Sequence, residues 1–488
     1  MAPVDGQNRR PRPFSHPLTH LLAWVVIMIL VLLSVLGGQL EQAPVDSGGT
    51  TDSRTLQPLP MADDMNGRML LGLNEMDGAF GPMLLDQAAP MKNGTPEQQL
   101  AYVILTSELI SPEEGVKALE ALHESIDAGT LEDLPEGYDQ LLEVVGGLLF
   151  STAAGETAAP PSVEDRSLLE ASLGIYGTYL LAHATDDTQA ISVLESQFSR
   201  AVFGLLAVMV WFLVAGFSGF VLLVLFIVFR LTGRLQLKFL PGTGTGSVYL
   251  ETFALWLFLF MAFSIAIPLL YQLVTGEDLA GIGQQGQLLI GLITMFLSLV
   301  VLVWPVIRGV RFSDVCEDIG LVPGRWFREI VAGVATYCAA LPLLLFGVIL
   351  FMVLSAIWVL LFDDTPQPSH PIQDSMGSGI VALVLVYLVA CVAAPIVEEI
   401  MFRGFLYRYL RDGTSKLLWF GSFVIAAFVS SFIFAIIHPQ GVVFVPVLGA
   451  LAIGFCLGRE WRGSLIAPMV AHALNNGVVM TLNVFISG

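Results

Sequence analysis

Charge is scarce in this chain, and cysteine is scarcer. Only 13% of the 488 residues are charged and only four are cysteine. Cys316, Cys338, Cys391 and Cys456 occur singly, in or beside apolar segments. That excludes a disulfide framework and a CxxC metal knuckle. Basic residues are nearly missing from one stretch: Gln39 to Ser199 holds 27 Asp or Glu against Arg54, Arg68, Lys92, Lys117 and Arg166, a net charge of −22. The whole chain carries −20, so the remainder is close to neutral. A surface this acidic repels nucleic acid and anionic lipid headgroups, and no DNA or RNA partner is expected.

What the chain has in quantity is apolar sequence, with 55% hydrophobic residues and a mean hydropathy of +0.75. Nine runs stand out, at about 18–37, 201–229, 250–275, 283–307, 329–362, 378–402, 418–437, 441–458 and 463–485. An α-helix needs about 20 apolar residues to cross a bilayer. The reading is therefore all-α: a polytopic membrane helix bundle of about nine spans, with an acidic, largely helical soluble insertion. Run 329–362 contains Pro342 and could hide a break. Sixteen of the 22 Lys and Arg fall in alternate loops, among them Arg9, Arg10, Arg12, Arg230, Arg311, Arg408, Arg411, Lys416, Arg459 and Arg462. The positive-inside rule makes those loops cytoplasmic. It puts the N-terminus in the cytoplasm, and residues 39–199 and the Lys/Arg-free loop Asp363–Ser375 outside. The first run competes as a signal peptide, but its length and the lack of a small-x-small site favour an uncleaved anchor.

Within the acidic stretch, Gln39 to about Lys92 lacks a sustained period and reads as linker. Helix starts then appear. Thr95-Pro96-Glu97-Gln98 supplies an N-cap, Pro at N1 and Gln at N3, and Ser111-Pro112-Glu113-Glu114 repeats the arrangement. Val116, Leu119, Leu122, His123 and Ile126 form a helical stripe, and 162–183 and 188–198 read as two further helices. Asp314, Glu317 and Asp318, in a cytoplasmic loop of mixed charge, read as part of an interfacial helix.

The chemistry gathers at the other end. Glu398 and Glu399 follow 19 uncharged residues, Gly379 to Val397. Ionisable groups beside such a helix cost about 2.5–3.5 kcal/mol each on insertion scales and are seldom idle. Glu399 and Arg403 are i,i+4, acid first, the favourable order for an ion pair. Glu398 lies about 100° round the helix, clear of that pair. His438 ends a second uncharged run, Leu417 to Ile437, with Pro439 closing its helix. His472 and Asn476 are i,i+4 in the last run, on one helix face. A glutamate, two histidines and an amide are what peptide hydrolysis in a membrane needs: a base or metal ligands for water, and donors for an oxyanion. Counted along straight helices from the cytoplasmic loops, Glu398, His438 and His472 lie about 20, 25 and 15 Å deep, so the depths agree only to about 10 Å.

Glu398-Glu399-x-x-x-Arg403, then Phe434-x-x-x-His438, then His472-x-x-x-Asn476 resembles the CAAX protease and bacteriocin-processing enzyme family, also called Abi, which contains the type II CAAX prenyl endopeptidases. The likeness covers about Gly379 to Gly488. It implies an intramembrane metalloendopeptidase acting on a membrane-associated peptide or protein. Glu398 with His438 would activate water, directly or through a divalent metal such as zinc held by Glu398, His438 and His472. His472 and Asn476 would stabilise the oxyanion. Glu399 and Arg403 would hold the site together, and Phe434 would pack one turn below His438.

The implied organisation is a cytoplasmic N-terminus and anchor helix (1–38), an acidic, partly disordered module (39–199), membrane helices (200–376) and the catalytic membrane core (377–488). The topology suits a bacterial cytoplasmic membrane, and the module would take a protein partner. Two other readings stand beside this one: a non-enzymatic scaffold or immunity-type protein working through the module, and an ion or metal transporter. Transport predicts polar groups spread over many helices and internal duplication. Here the polar groups cluster in the last third.

Overall fold

The computed structural model describes residues 16–42, 56, 58–59, 61–76, 78–128, 134–242, 244–276, 282–321, 326–362 and 379–487. The loop Asp363–Ser375 and the basic residues Arg9, Arg10 and Arg12 lie outside them. In chain order the helices are α1 (Pro17–Gln42), α2 (Met61–Met76), α3 (Gly81–Gln87), α4 (Pro96–Leu109), α5 (Pro112–Asp127), α6 (Tyr138–Ala153), α7 (Val163–Ala184), α8 (Thr188–Leu231), α9 (Val248–Thr275), α10 (Gly283–Ser298), α11 (Trp304–Ile307), α12 (Phe312–Ile319), α13 (Trp326–Phe362), α14 (Ile380–Leu388), α15 (Ala394–Glu399), α16 (Tyr407–Gly413), α17 (Trp419–Ile436), α18 (Val445–Arg462) and α19 (Ile466–Ser487). No β-sheet occurs among the described residues. The chain forms two compact units, 1–44 with 210–480, and 45–209 with 481–488.

The first unit is an all-helical, multi-pass membrane body. Among the described residues, eight helices are long and apolar enough to cross a bilayer. The ninth run is helix α19, whose apolarity is diluted by His472, Asn475, Asn476 and Asn483. α13 continues through Pro342 without a break, because flanking residues keep helical geometry around one missing N–H. α13 and α18 pack at very short range. A Cβ on Gly454 would lie 2.3 Å from the Ala340 Cβ, and one on Gly458 would lie 2.5 Å from the Thr336 Cγ2. This is the small-xxx-small device that brings membrane helices together. α1 is built into the body: Ala23, Ile27, Leu30 and Val31 are buried in the same core as Val248, Phe253 and Leu257 of α9. The Thr19 and Ser247 hydroxyls pair at 2.7 Å, and His20 Nδ1 lies 2.9 Å from the Tyr409 hydroxyl.

The second unit is a helical bundle around leucine. Leu70, Leu71, Leu84, Leu100, Ile104, Leu119, Leu141, Leu149, Leu169 and Leu180 lie at its centre. Both expected caps form: Thr95 makes a complete capping box with Gln98, and Ser111 accepts from the Glu114 N–H. The linker expected up to Lys92 is corrected over residues 61–93. That stretch is two helices and short 3₁₀ turns, two of these starts carrying proline, with Leu70, Leu84 and Met91 buried. Its apolar residues fall without a sustained period, yet Leu70, Leu71, Leu84 and Met91 are buried in the bundle, while Met76, Phe80 and Met83 stay exposed. α6 was not expected either: it starts after Gly137 with no side-chain cap to mark it. α7 bends sharply at Gly174, whose φ of +51° only glycine adopts easily. Asp64 Oδ1 accepts the Ile175 N–H freed by the bend, at 2.7 Å. The helix expected over 188–198 does not end there but continues as the 44-residue α8.

Candidate active site

The stretch carrying Glu398 and Glu399 is not a plain α-helix. A π-helical turn at Val389–Ala393 precedes α15, and a longer one at Ile400–Leu406 follows it. π turns insert an extra residue per turn and leave carbonyls without their usual partner, and they concentrate at functional sites. Here the Ala390 carbonyl accepts from Asn476 Nδ2 at 2.7 Å. Straight-helix counting leaves the depths of Glu398, His438 and His472 about 10 Å apart, but the folded helices bring the three side chains to one place.

Glu399 is fully buried, as is Arg403, and their carboxylate and guanidinium pair at 2.9 Å. The same Oε1 of Glu399 lies 3.0 Å from His472 Nδ1. Arg403 also donates to the Ala452 carbonyl at 3.2 Å. A carboxylate paired with arginine only accepts, so the His472 Nδ1 carries the proton and its Nε2 presents a lone pair. That Nε2 lies 3.8 Å from Glu398 Oε2. His438 is arranged in parallel: Nδ1 bonds the Phe434 carbonyl one turn back, and Nε2 lies 3.9 Å from the same Glu398 oxygen. Glu398 Oε2 is buried with no hydrogen-bond partner. The Nε2 atoms of His438 and His472 thus flank one buried carboxylate oxygen, each just beyond direct hydrogen-bond reach, a separation a bridging water closes.

Aromatic rings enclose the cluster. Phe434 lies beneath His438, with centroids 4.4 Å apart, and the Arg403 guanidinium sits 4.6 Å over the Phe434 ring. Phe402 meets Phe434 edge-on at 5.1 Å and Trp256 of α9 at 5.8 Å. Asn476 does not point both amide hydrogens at the site. One holds Ala390, while the Asn476 Oδ1 accepts from Asn475 at 3.3 Å.

The donor chemistry suits a divalent metal: two imidazoles anchored through Nδ1 and one carboxylate. The spacing does not. Donors about 2.0–2.2 Å from a tetrahedral ion lie about 3.3–3.5 Å from one another, and these lie 3.8 and 3.9 Å apart. Among the described residues, no group of three His, Cys, Asp or Glu converges to hold a metal ion.

A second buried polar cluster escaped the sequence reading. Arg408, Arg411 and Arg459, expected in cytoplasmic loops, are buried. Arg411 pairs with the fully buried Glu460 at 2.7 Å, and Glu460 also accepts from Tyr407 at 2.7 Å and Trp419 at 2.8 Å. Asp318 is no peripheral acid either. It accepts from Tyr249 at 2.7 Å, and its backbone carbonyl accepts from Arg459 at 2.9 Å. Phe239 lies within 4.7–5.7 Å of all three guanidiniums. Three arginines face Asp318, Asp412 and Glu460, so the cluster is balanced in charge.

Fold and site together define a polytopic helical membrane protein with a carboxylate and two histidines brought together between its helices. Residues 380–478 match the family model described as type II CAAX prenyl endopeptidase Rce1-like. A relative from Staphylococcus aureus (strain USA300), the membrane-embedded CAAX protease MroQ, is 32% identical over 91 residues. That alignment covers 18% of this chain and 35% of the relative. The matched segment, the last fifth of the chain, holds every motif above and is similar to that family model and to that relative, of whose length it spans about a third. No solved structure matches the chain.

Proposed function

We propose that this protein is an intramembrane endopeptidase that hydrolyses a peptide bond in a membrane-associated substrate. The observation that carries the reading is Glu398 Oε2 set between the Nε2 atoms of His472 and His438, at 3.8 and 3.9 Å. A substrate water between them gives one proton to the Glu398 carboxylate, while its other hydrogen is accepted by the Nε2 of His438 or His472, which aims its lone pair. The oxygen attacks the scissile carbonyl and the C–O bond forms. The second amide hydrogen of Asn476 serves the oxyanion. The resemblance gave His472 that task as well. With its Nδ1 proton committed to Glu399, however, neutral His472 has no hydrogen left to donate. Glu398 then passes its proton to the departing nitrogen, the C–N bond breaks, and the products are a carboxylate and an amine. Glu399 and Arg403 fix the tautomer and aim of His472 without touching substrate.

A divalent cation such as zinc would be held by Glu398, His438 and His472 once their donors drew in by about half an ångström, and would supply a more acidic water. Metal analysis of the purified protein, with activity before and after chelation, tests that version. The bilayer we propose is a bacterial cytoplasmic membrane, with the N-terminus inside and residues 39–199 outside. Impermeant thiol labelling of Ser192→Cys and Ser415→Cys, in a chain lacking its four native cysteines, should come from opposite sides. Labelling of both from one side refutes the topology.

The central test is cleavage of membrane-inserted peptides by purified wild type and Glu398→Gln. General-base catalysis contributes about 10²- to 10⁴-fold, and the variant should lose about that much while keeping its melting temperature. Unimpaired cleavage by Glu398→Gln sinks the assignment.

A further inference from the structure

We propose that Phe455, on a helix that carries no motif residue, is a positioning residue for His472. The inference rests on the hydrolytic reading of the site. Phe455 is fully buried. Its ring stacks on the His472 imidazole, with centroids 5.3 Å apart and planes at 24°. The Arg403 guanidinium lies over the same Phe455 ring, 5.3 Å from its centroid. One ring therefore contacts both groups that bond Glu399 Oε1.

The need for such a surface follows from the geometry of an imidazole. The Cβ attachment and the one bond from His472 Nδ1 to Glu399 set the ring plane only softly, because a hydrogen bond tolerates about 30° of misalignment. Nε2 reaches Glu398 only at one setting of the ring plane. Phe434 touches His472 edge-on, at 79° and 5.9 Å, and an edge alone sets a plane poorly. The flat face of Phe455 supplies the missing constraint. α18 can hold that face because it is itself fixed. Gly454 and Gly458, on either side of Phe455, seat the helix against Ala340 and Thr336 at distances that no larger residue allows. Arg403 adds to the effect: it is attracted to the Phe455 and Phe434 ring faces and so draws Glu399 to the place where His472 meets it.

The test compares Phe455→Leu with Phe423→Leu in the purified full-length protein. Phe423 is a buried ring stacked on Trp419, away from Glu398 and His472, and it controls for loss of an aromatic from the core. Phe455→Leu should lower kcat by about tenfold or more with KM changed less than about twofold. Phe423→Leu should lower the melting temperature similarly and leave kcat near wild type. Nitrogen-15 imidazole shifts of His472 should show a single Nδ1–H tautomer in wild type and a mixture in Phe455→Leu. If Phe455→Leu does not fold, Phe455→Met takes its place, with the same loss expected. The proposal is overturned if kcat falls no further than in the control, or if the His472 tautomer is unchanged. Glu398→Gln runs in the same assay. If it stays active, the hydrolytic reading has failed. If it is inert while Phe455→Leu is normal, only the role of Phe455 has failed.

Discussion

The acidic module and the membrane core are both helical, but they place their charges in opposite ways. In the module, 27 acids face five bases between residues 39 and 199, yet among its described residues only Glu97 is a buried charge, and the interior is built from leucine, isoleucine and tyrosine. In the core charge is rare, yet Glu399, Arg403, Arg408, Arg411, Arg459 and Glu460 are all buried. Water explains the difference. Around the module it solvates nearly every carboxylate, so most acids go outward and apolar groups inward. Against lipid an ionised group has no solvent, so it turns inward and must find a partner there. The core therefore depends on pairs, and the module on packing. Buried pairs are also the material from which the core builds its site.

That contrast can be broken experimentally, beginning where the effect should be largest. Glu460 is fully buried and accepts from Arg411, Tyr407 and Trp419. Glu460→Gln leaves Arg411 without a counter-charge, and stranding one member of a buried pair costs about 3–5 kcal/mol. Melting in detergent should show a loss of that order. A variant as stable as wild type would mean that charge pairing does not hold the core together.

Next comes the pair inside the site. Glu399→Gln should lower stability and activity together, because it strands Arg403 and frees His472 Nδ1. Adding Arg403→Met removes the stranded charge and should restore part of the stability, an energy of about 0.5–3 kcal/mol for residues in contact. It should not restore activity, since His472 stays unanchored. If the double variant shows the full sum of the two single losses, the pair is not coupled.

The module should respond to smaller, local changes. Thr95→Ala removes a capping box and should cost about 1 kcal/mol, read as faster amide exchange at the start of α4 with core helices unchanged. Exchange spreading into α13 or α18 would contradict the separation of the two units.

The last effect, confined to one side chain, concerns pH. Burial pushes the Glu108 carboxyl up from 4.5 to about 7. Between these values the folded form holds a proton that the unfolded form has lost. The stabilising contribution is complete below about 4.5 and fades as pH rises through about 7. Amide protection of α4 should therefore be greater at pH 5.5 than at pH 7.5, after correction for intrinsic exchange. Glu108→Gln should flatten the dependence. An unchanged slope in that variant would clear Glu108 of the effect.

Much of this was legible in residue order. The caps at Thr95 and Ser111 were readable because a cap and its partner lie three residues apart. The Glu399–Arg403 pair was readable because both sit on one helix, four residues apart. The helices over 61–93 were not, since their apolar residues keep no period and gain meaning only against a bundle formed by others. The π turns at 389–393 and 400–406 left no mark in composition or period. Phe455 looked like any phenylalanine in an apolar run.

The sequence by itself determined that the chain is helical, that it crosses a membrane several times, and that acids, histidines and an amide occupy its last apolar segments. Hydropathy, turn chemistry and i,i+4 spacing act over a few residues, and such signals survive in a linear string. Only the tertiary structure decided which charges meet. Glu399 bonds His472 across 73 positions and Arg411 bonds Glu460 across 49. Such pairs depend on how glycines seat α18 against α13 and how π turns redirect the helix of Glu398. Directional contacts between remote helices are fixed by packing in three dimensions, where distance along the chain counts for nothing.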